Sequence, residues 1–117
     1  MIRLLALLPL LVSSVAFADD PLRAVHTRAT ELAARGECAE ALVAYDELAR
    51  AGVEDPDVAY DRALCHAQLG ELGRAIVWLE RAMRLAPRDP EIREALARAE
   101  AKVRDARESE HHGEPLA

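Results

Sequence analysis

The chain has 117 residues, 51% of them hydrophobic but only 3% aromatic, and a formal charge of −6 at pH 7. That length holds one small domain, and the interspersed charges exclude the basic, aromatic-studded stripe of a nucleic-acid binder. Alanine, at 24 residues, dominates with leucine, arginine and glutamate. These are strong helix formers, no stretch alternates with the period of two of a half-buried strand, and the predicted fold class is all-α.

Residues 1–18, "MIRLLALLPLLVSSVAFA", read as a signal peptide. Arg3 precedes an apolar run from Leu4 to Val12, and Ala16-Phe17-Ala18 forms a small-x-small cleavage pattern ahead of Asp19-Asp20. The run falls short of the roughly 20 residues that a membrane-crossing helix needs. The expectation is therefore cleavage, no stable membrane span afterwards, and a periplasmic or secreted chain. A retained N-terminal anchor is the competing reading.

Beyond the leader the chain repeats itself. Sliding it by 34 residues pairs Arg28 with Arg62, Gly36 with Gly70, Glu37 with Glu71, Ala41 with Ala75, Val43 with Val77, Arg50 with Arg84, and Asp55-Pro56 with Asp89-Pro90. Over 28–56 against 62–90 there are ten identities in twenty-nine pairs, and seven of them are not alanine, so the match is not an accident of an alanine-rich chain. A further shift of 34 places Ile92 under Val58, Ala97 under Ala63 and Ala101 under Ala67.

The predicted helices run from about 22 to 35, 39 to 51, 57 to 69 and 72 to 85, with one long helix from 91 to about 108. Glycine is expected at each tight turn, where a positive φ is needed, and proline is expected to stop each second helix. In the last helix Ile92, Leu96, Ala99 and Val103 form an apolar stripe, with Arg93, Glu94, Arg98 and Lys102 facing elsewhere. The polar end of the chain, 109–117, is expected to be a disordered tail.

The segment "AYDRALCHAQLGELGRAIVWLERAMRLAPRDP" resembles a tetratricopeptide repeat, whose period is 34. Ala63, Gly70, Ala75, Ala82 and Pro87 fall on that family's small, turn and stop positions, and Tyr60 and Leu79 on its large ones. In the first copy Ala29, Gly36, Ala41 and Tyr45 fit, while Leu48 replaces an alanine and Val53 a proline. Arg62 and His66 depart from the pattern, standing where the family usually has a large apolar and an aromatic residue. A second likeness, of residues 69–103, is to the repeat region of Bat aerotolerance proteins of the bacterial envelope.

The resemblance implies a short α-solenoid within residues 19–108: repeats at about 22–55 and 56–89, and a capping helix at about 90–108 that shields the open end. It also implies that the first helix of each pair lines a concave face. That face would carry Arg23, His26 and Thr30, with Ala33 and Ala34, from the first helix. The third would supply Tyr60, Leu64 and Gln68, with Ala67 and Asp57, and the last Glu94, Arg98 and Lys102. Such a groove suits an extended peptide or a partner helix. The family's clamp for a peptide carboxylate needs several lysines and asparagines; this chain has one lysine, Lys102, and no asparagine.

Cys38 starts the second helix and Cys65 lies late in the third. With the second helix antiparallel to its neighbours, those positions fall at the same end, and two cysteines in an exported chain are commonly paired. A disulfide there would contribute about 3 kcal/mol in the chain-entropy treatment. Cys65 also suits a small core residue packed on the preceding repeat, and the sequence leaves both readings open.

Catalytic groupings are lacking in the sequence. Cys65 and His66 are neighbours on a helix and do not face each other, so they make no nucleophile–base pair. Cys38, Cys65 and His66 lack a fourth zinc ligand. The expectation is a non-enzymatic scaffold of the cell envelope that binds a protein partner and needs no cofactor or metal. The alternative is a redox- or metal-linked envelope stress protein working through Cys38 and Cys65.

Overall fold

The computed structural model describes residues 20–112. The expected signal peptide at 1–18 and the end of the expected tail, 113–117, lie outside the described residues. Five helices follow in order: α1 (Pro21–Ala34), α2 (Cys38–Arg50), α3 (Pro56–Gln68), α4 (Leu72–Leu85) and α5 (Pro90–His112). All regular structure among the described residues is helical.

One device opens α1, α3 and α5. Asp20 Oδ1 accepts the backbone N–H of Leu22, Asp55 Oδ1 those of Asp57 and Val58, and Asp89 Oδ1 those of Glu91 and Ile92. Proline follows each of these aspartates, at the first helical position where a missing N–H costs nothing. The Asp-Pro pairs therefore start the next helix; they do not stop the previous one.

The stop after α1, α2 and α3 is a glycine. Gly36, Gly52 and Gly70 have φ of 76°, 80° and 78°. Behind each, the chain closes the same paired bonds, as in Gly70 N–H to the Ala67 carbonyl and Glu71 N–H to the His66 carbonyl. In the first repeat Gly52 thus ends α2 where the sequence lacks the stopping proline. After α4, which has no such glycine, Pro87 follows the last turn.

Two apolar layers hold the stack. Ala29 and Leu32 of α1, Ala41, Ala44, Tyr45 and Leu48 of α2 and Val58 and Cys65 of α3 share the first. Ala59 and Ala63 of α3, Leu79 and Ala82 of α4 and Ile92, Ala95, Leu96 and Ala99 of α5 form the second. Ala29, Ala41, Ala63, Ala75 and Ala82 are completely inaccessible. A methyl side chain lets two backbones approach closely, and Leu48 and Leu79 fill the space between such contacts.

The last helix is longer than expected, while Ile92, Leu96 and Ala99 of the expected apolar stripe are buried. It continues to His112, through Ser109 to His112 of the expected tail, because "RDARESEHH" contains no glycine or proline and Ser109 bonds back to the Asp105 carbonyl. Its buried face also differs from that of a complete repeat. Ala97, aligned with the wholly buried Ala63, is exposed, whereas Ile92, Ala95, Leu96 and Ala99 are buried. No further helix covers the Ala97 side among the described residues, so α5 buries the stripe that packs on α4 and on Ala59 and Ala63 of α3. No described helix is long and apolar enough to cross a membrane.

Candidate partner-binding face

Helices α1, α3 and α5 present two depressions that meet at one residue. The first, about 280 Å³, is lined by Thr30, Ala33 and Ala34 of α1, Cys38 of α2, and Asp61, Leu64, Cys65 and Gln68 of α3. The second, about 90 Å³, lies among Ala63, Leu64, Ala67, Leu72, Leu79, Ala95, Arg98, Ala99 and Lys102. Leu64 lines both, and it is 42% exposed between the buried Ala63 and Cys65. The two depressions adjoin at Leu64 and are together called the track.

Of the residues expected on this face, Thr30, Leu64, Gln68 and Arg98 line the track, with Ala33, Ala34, Ala67 and Lys102 beside them. Arg23, His26 and Glu94 are exposed but line neither depression. Tyr60 is half-buried and its hydroxyl donates to Glu91 Oε1 at 3.2 Å, joining α3 to the start of α5. Glu94 lies 3.8 Å from Arg98 within α5. Thr30 spends its hydroxyl hydrogen on the His26 carbonyl, 2.9 Å away.

Beside the track, the sequence marked Tyr45 as a repeat position but not Asp61, which lines the first depression, nor the contact between them. Tyr45 of α2 is fully buried, yet its hydroxyl donates to Asp61 Oδ2 at 3.4 Å. Burial, and then the Asp61 charge, push the Tyr45 phenol up to about 12. Asp61 itself is raised from the ordinary carboxylate value, chiefly by desolvation. The α1–α3 end of the track is thus acidic, and the α5 end carries the positive Arg98 and Lys102.

The two cysteines meet, as the helix directions implied, and both are free thiols buried in the first apolar layer. The Cys38 thiol donates to Gln68 Oε1 at 2.7 Å. Burial pushes the Cys65 thiol up to about 12, with the adjacent Cys38 and the Asp61 charge adding to it. Among the described residues no group of three or more His, Cys, Asp or Glu side chains is arranged to hold a metal ion.

Away from the track, Arg62 and His66 occupy the interior positions where the sequence departed from the repeat pattern. Both are buried. Arg62 pairs with Asp46 of α2, and its guanidinium carbon lies 3.7 Å from the centroid of the Trp78 ring. Arg81 approaches the same ring at 5.2 Å. His66 Nδ1 lies 3.5 Å from Glu71 Oε1. Trp78 thus shields a cation inside the second helix pair; the signal in the sequence was the arginine standing where a large apolar residue belongs.

Residues 56–99, from the first turn of α3 into α5, match the family model for the tetratricopeptide repeat. Residues 56–99 form a tetratricopeptide repeat. No curated protein and no solved structure matches the chain. The matched span is the second repeat and the start of the cap. The first repeat is tied to it by the 34-residue identities and by the same glycine stop and aspartate cap. Such repeats are protein–protein interaction modules.

Proposed function

We propose that this chain is an exported, non-catalytic scaffold of the bacterial cell envelope. It holds an extended peptide or a helix of a partner protein along the track of α1, α3 and α5. The observation that carries the reading is the half-exposed Leu64 joining two depressions on the face made by the first helices of the repeats. An apolar anchor flanked by opposite charges suits a segment with an apolar side chain at its centre, a basic residue toward Asp61 and an acidic one toward Arg98 and Lys102.

Export is supported by the apolar run and the Ala16-Phe17-Ala18 pattern. Cleavage after Ala18 would leave Asp20 in place as the cap of α1. Cell fractionation with N-terminal sequencing tests this: a periplasmic or secreted chain beginning at Asp19 supports export, and an unprocessed cytoplasmic chain refutes it. For the binding face, a photo-crosslinking side chain is placed at Leu64 or at Val77, which is 59% exposed on α4. Crosslinks to a defined partner from Leu64 and not from Val77 are expected; the reverse pattern would remove the track from consideration.

A further inference from the structure

Several features compete for attention: the cavity beside Arg62, Trp78 and Arg81, the exposed valines Val43 and Val77, and the thiol pair under the track. The cavity at Trp78 has Glu54 and Asp55 beside its two arginines, so its charges select no ligand. The valines have nothing that says what would cover them. The thiol pair is different, because three independent observations converge on it. Cys38 and Cys65 come from different repeats and adjoin; both line the larger depression; and Cys38 holds Gln68, which lines the same depression.

We propose that Cys38 and Cys65 form a dithiol site that a disulfide-bearing protein or small molecule oxidises through the track, and that closing the bridge frees Gln68 and locks the two repeats together. The step is a thiol–disulfide exchange. The Cys38 thiolate attacks one sulfur of the incoming disulfide, giving a mixed disulfide and releasing the other sulfur as a thiolate, which takes up a proton. Cys65 then loses its proton and attacks the Cys38 sulfur, expelling the second sulfur of the oxidant. The two thiols lose two electrons, and one disulfide is reduced to two thiols.

Several features restrict which oxidant can react. The two cysteines are 3% and 2% exposed, so bulk solvent meets neither sulfur freely. The depression is lined by both residues and is the side from which an oxidant would approach. With Asp61 lining the same space, a second negative charge is disfavoured there, which keeps the Cys65 thiol neutral in the reduced form.

Oxidation has a structural consequence because of the Gln68 bond. The S–H is the donor and Gln68 Oε1 the acceptor, so a disulfide removes the only hydrogen in that contact. The Gln68 amide, already exposed, is then free to turn toward a bound segment. The bridge also ties α2 of the first repeat to α3 of the second, fixing the angle between them. That effect on partner capture rests on the proposed track. The thiol chemistry is tested without any partner, so its failure and the failure of the scaffold reading are separable.

The purified chain is reduced, freed of reductant, treated with oxidised glutathione, and then trapped with a maleimide in denaturant. The expected result is loss of both maleimide additions, with the Cys38 and Cys65 peptides joined within one chain. A Cys65→Ser variant should stop at a single glutathione adduct on Cys38. Retention of both maleimide additions in the wild-type chain, or bridges only between chains, overturns the proposal. For the coupling, the Gln68 side-chain amide resonances should shift on oxidation. Cys38→Ala should move them the same way, and Cys38→Ser, which keeps a donor, should hold them near the reduced position. Identical Gln68 resonances in both redox forms would overturn that part.

Discussion

The Arg62 guanidinium stacks 3.7 Å from the Trp78 ring centroid and is paired with Asp46, so one buried cation ties α3 to both α4 and α2. Arg62 is 8% accessible at its side chain and Asp46 49%. The desolvation cost therefore falls mainly on the arginine, while the aspartate keeps much of its water. A cation over an indole gains from the ring's negative face, more so when desolvated.

That asymmetry predicts unequal effects from the two partners. Asp46→Asn leaves a buried guanidinium without its counter-charge and should cost about 2 kcal/mol. Arg62→Met puts a long apolar side chain at an interior position and leaves unpaired only Asp46, which is half-exposed and keeps much of its water, so it should stay within about 1 kcal/mol of the parent. Urea unfolding of the two variants decides it, and equal losses would contradict the account.

The acids under the track set the response to alkali. Cys65 is raised from 9.0 and Tyr45 from 10.0, both to about 12. The folded state favours their neutral forms, whereas the unfolded chain ionises at the lower values. Their contribution to stability is therefore complete below about pH 9 and lost progressively between pH 9 and 12. Urea midpoints measured across that window should fall, and Tyr45→Phe should make the decline shallower above pH 10, the value at which the unfolded phenol ionises.

Two glycines three residues apart should respond in opposite directions. At Gly70, φ of 78° strains any other residue, although a Cβ would meet nothing within 4 Å. Gly70→Ala should therefore cost about 1 kcal/mol. Gly73 lies within α4 with the same open surroundings, and Gly73→Ala should stabilise by about 0.5 kcal/mol. Thermal denaturation of the two variants gives the check.

Leu64 separates binding from folding. At 42% exposure it carries little of the core, so Leu64→Arg should change stability by no more than about 0.5 kcal/mol. In the proposed scaffold the same change removes the apolar anchor and should abolish partner crosslinking from a neighbouring position on the track. Unchanged crosslinking in a folded Leu64→Arg variant would argue against the track.

Local rules determined a large part of this protein. Helix propensity, the 34-residue period, a glycine with positive φ after α1 and α3 and an aspartate at each first-helix start are satisfied within a few residues of chain. They placed the boundaries of α1 to α4 within about one residue of those observed. They also set which alanines would be sealed in repeats that have neighbours on both sides.

What only the tertiary structure decided depends on groups far apart in sequence. The burial of Arg62 needs Asp46 from one helix and Trp78 from another. Tyr45 is buried by the core, yet its hydroxyl reaches Asp61 at the track. Ala97 repeats Ala63 in sequence and not in burial, because burial is set by what packs against a residue. The sequence alone supplied a candidate face and a candidate pair of thiols. The packing of α1, α2 and α3 brought Cys38, Cys65 and Gln68 to one depression, where removal of a single S–H hydrogen reaches the surface.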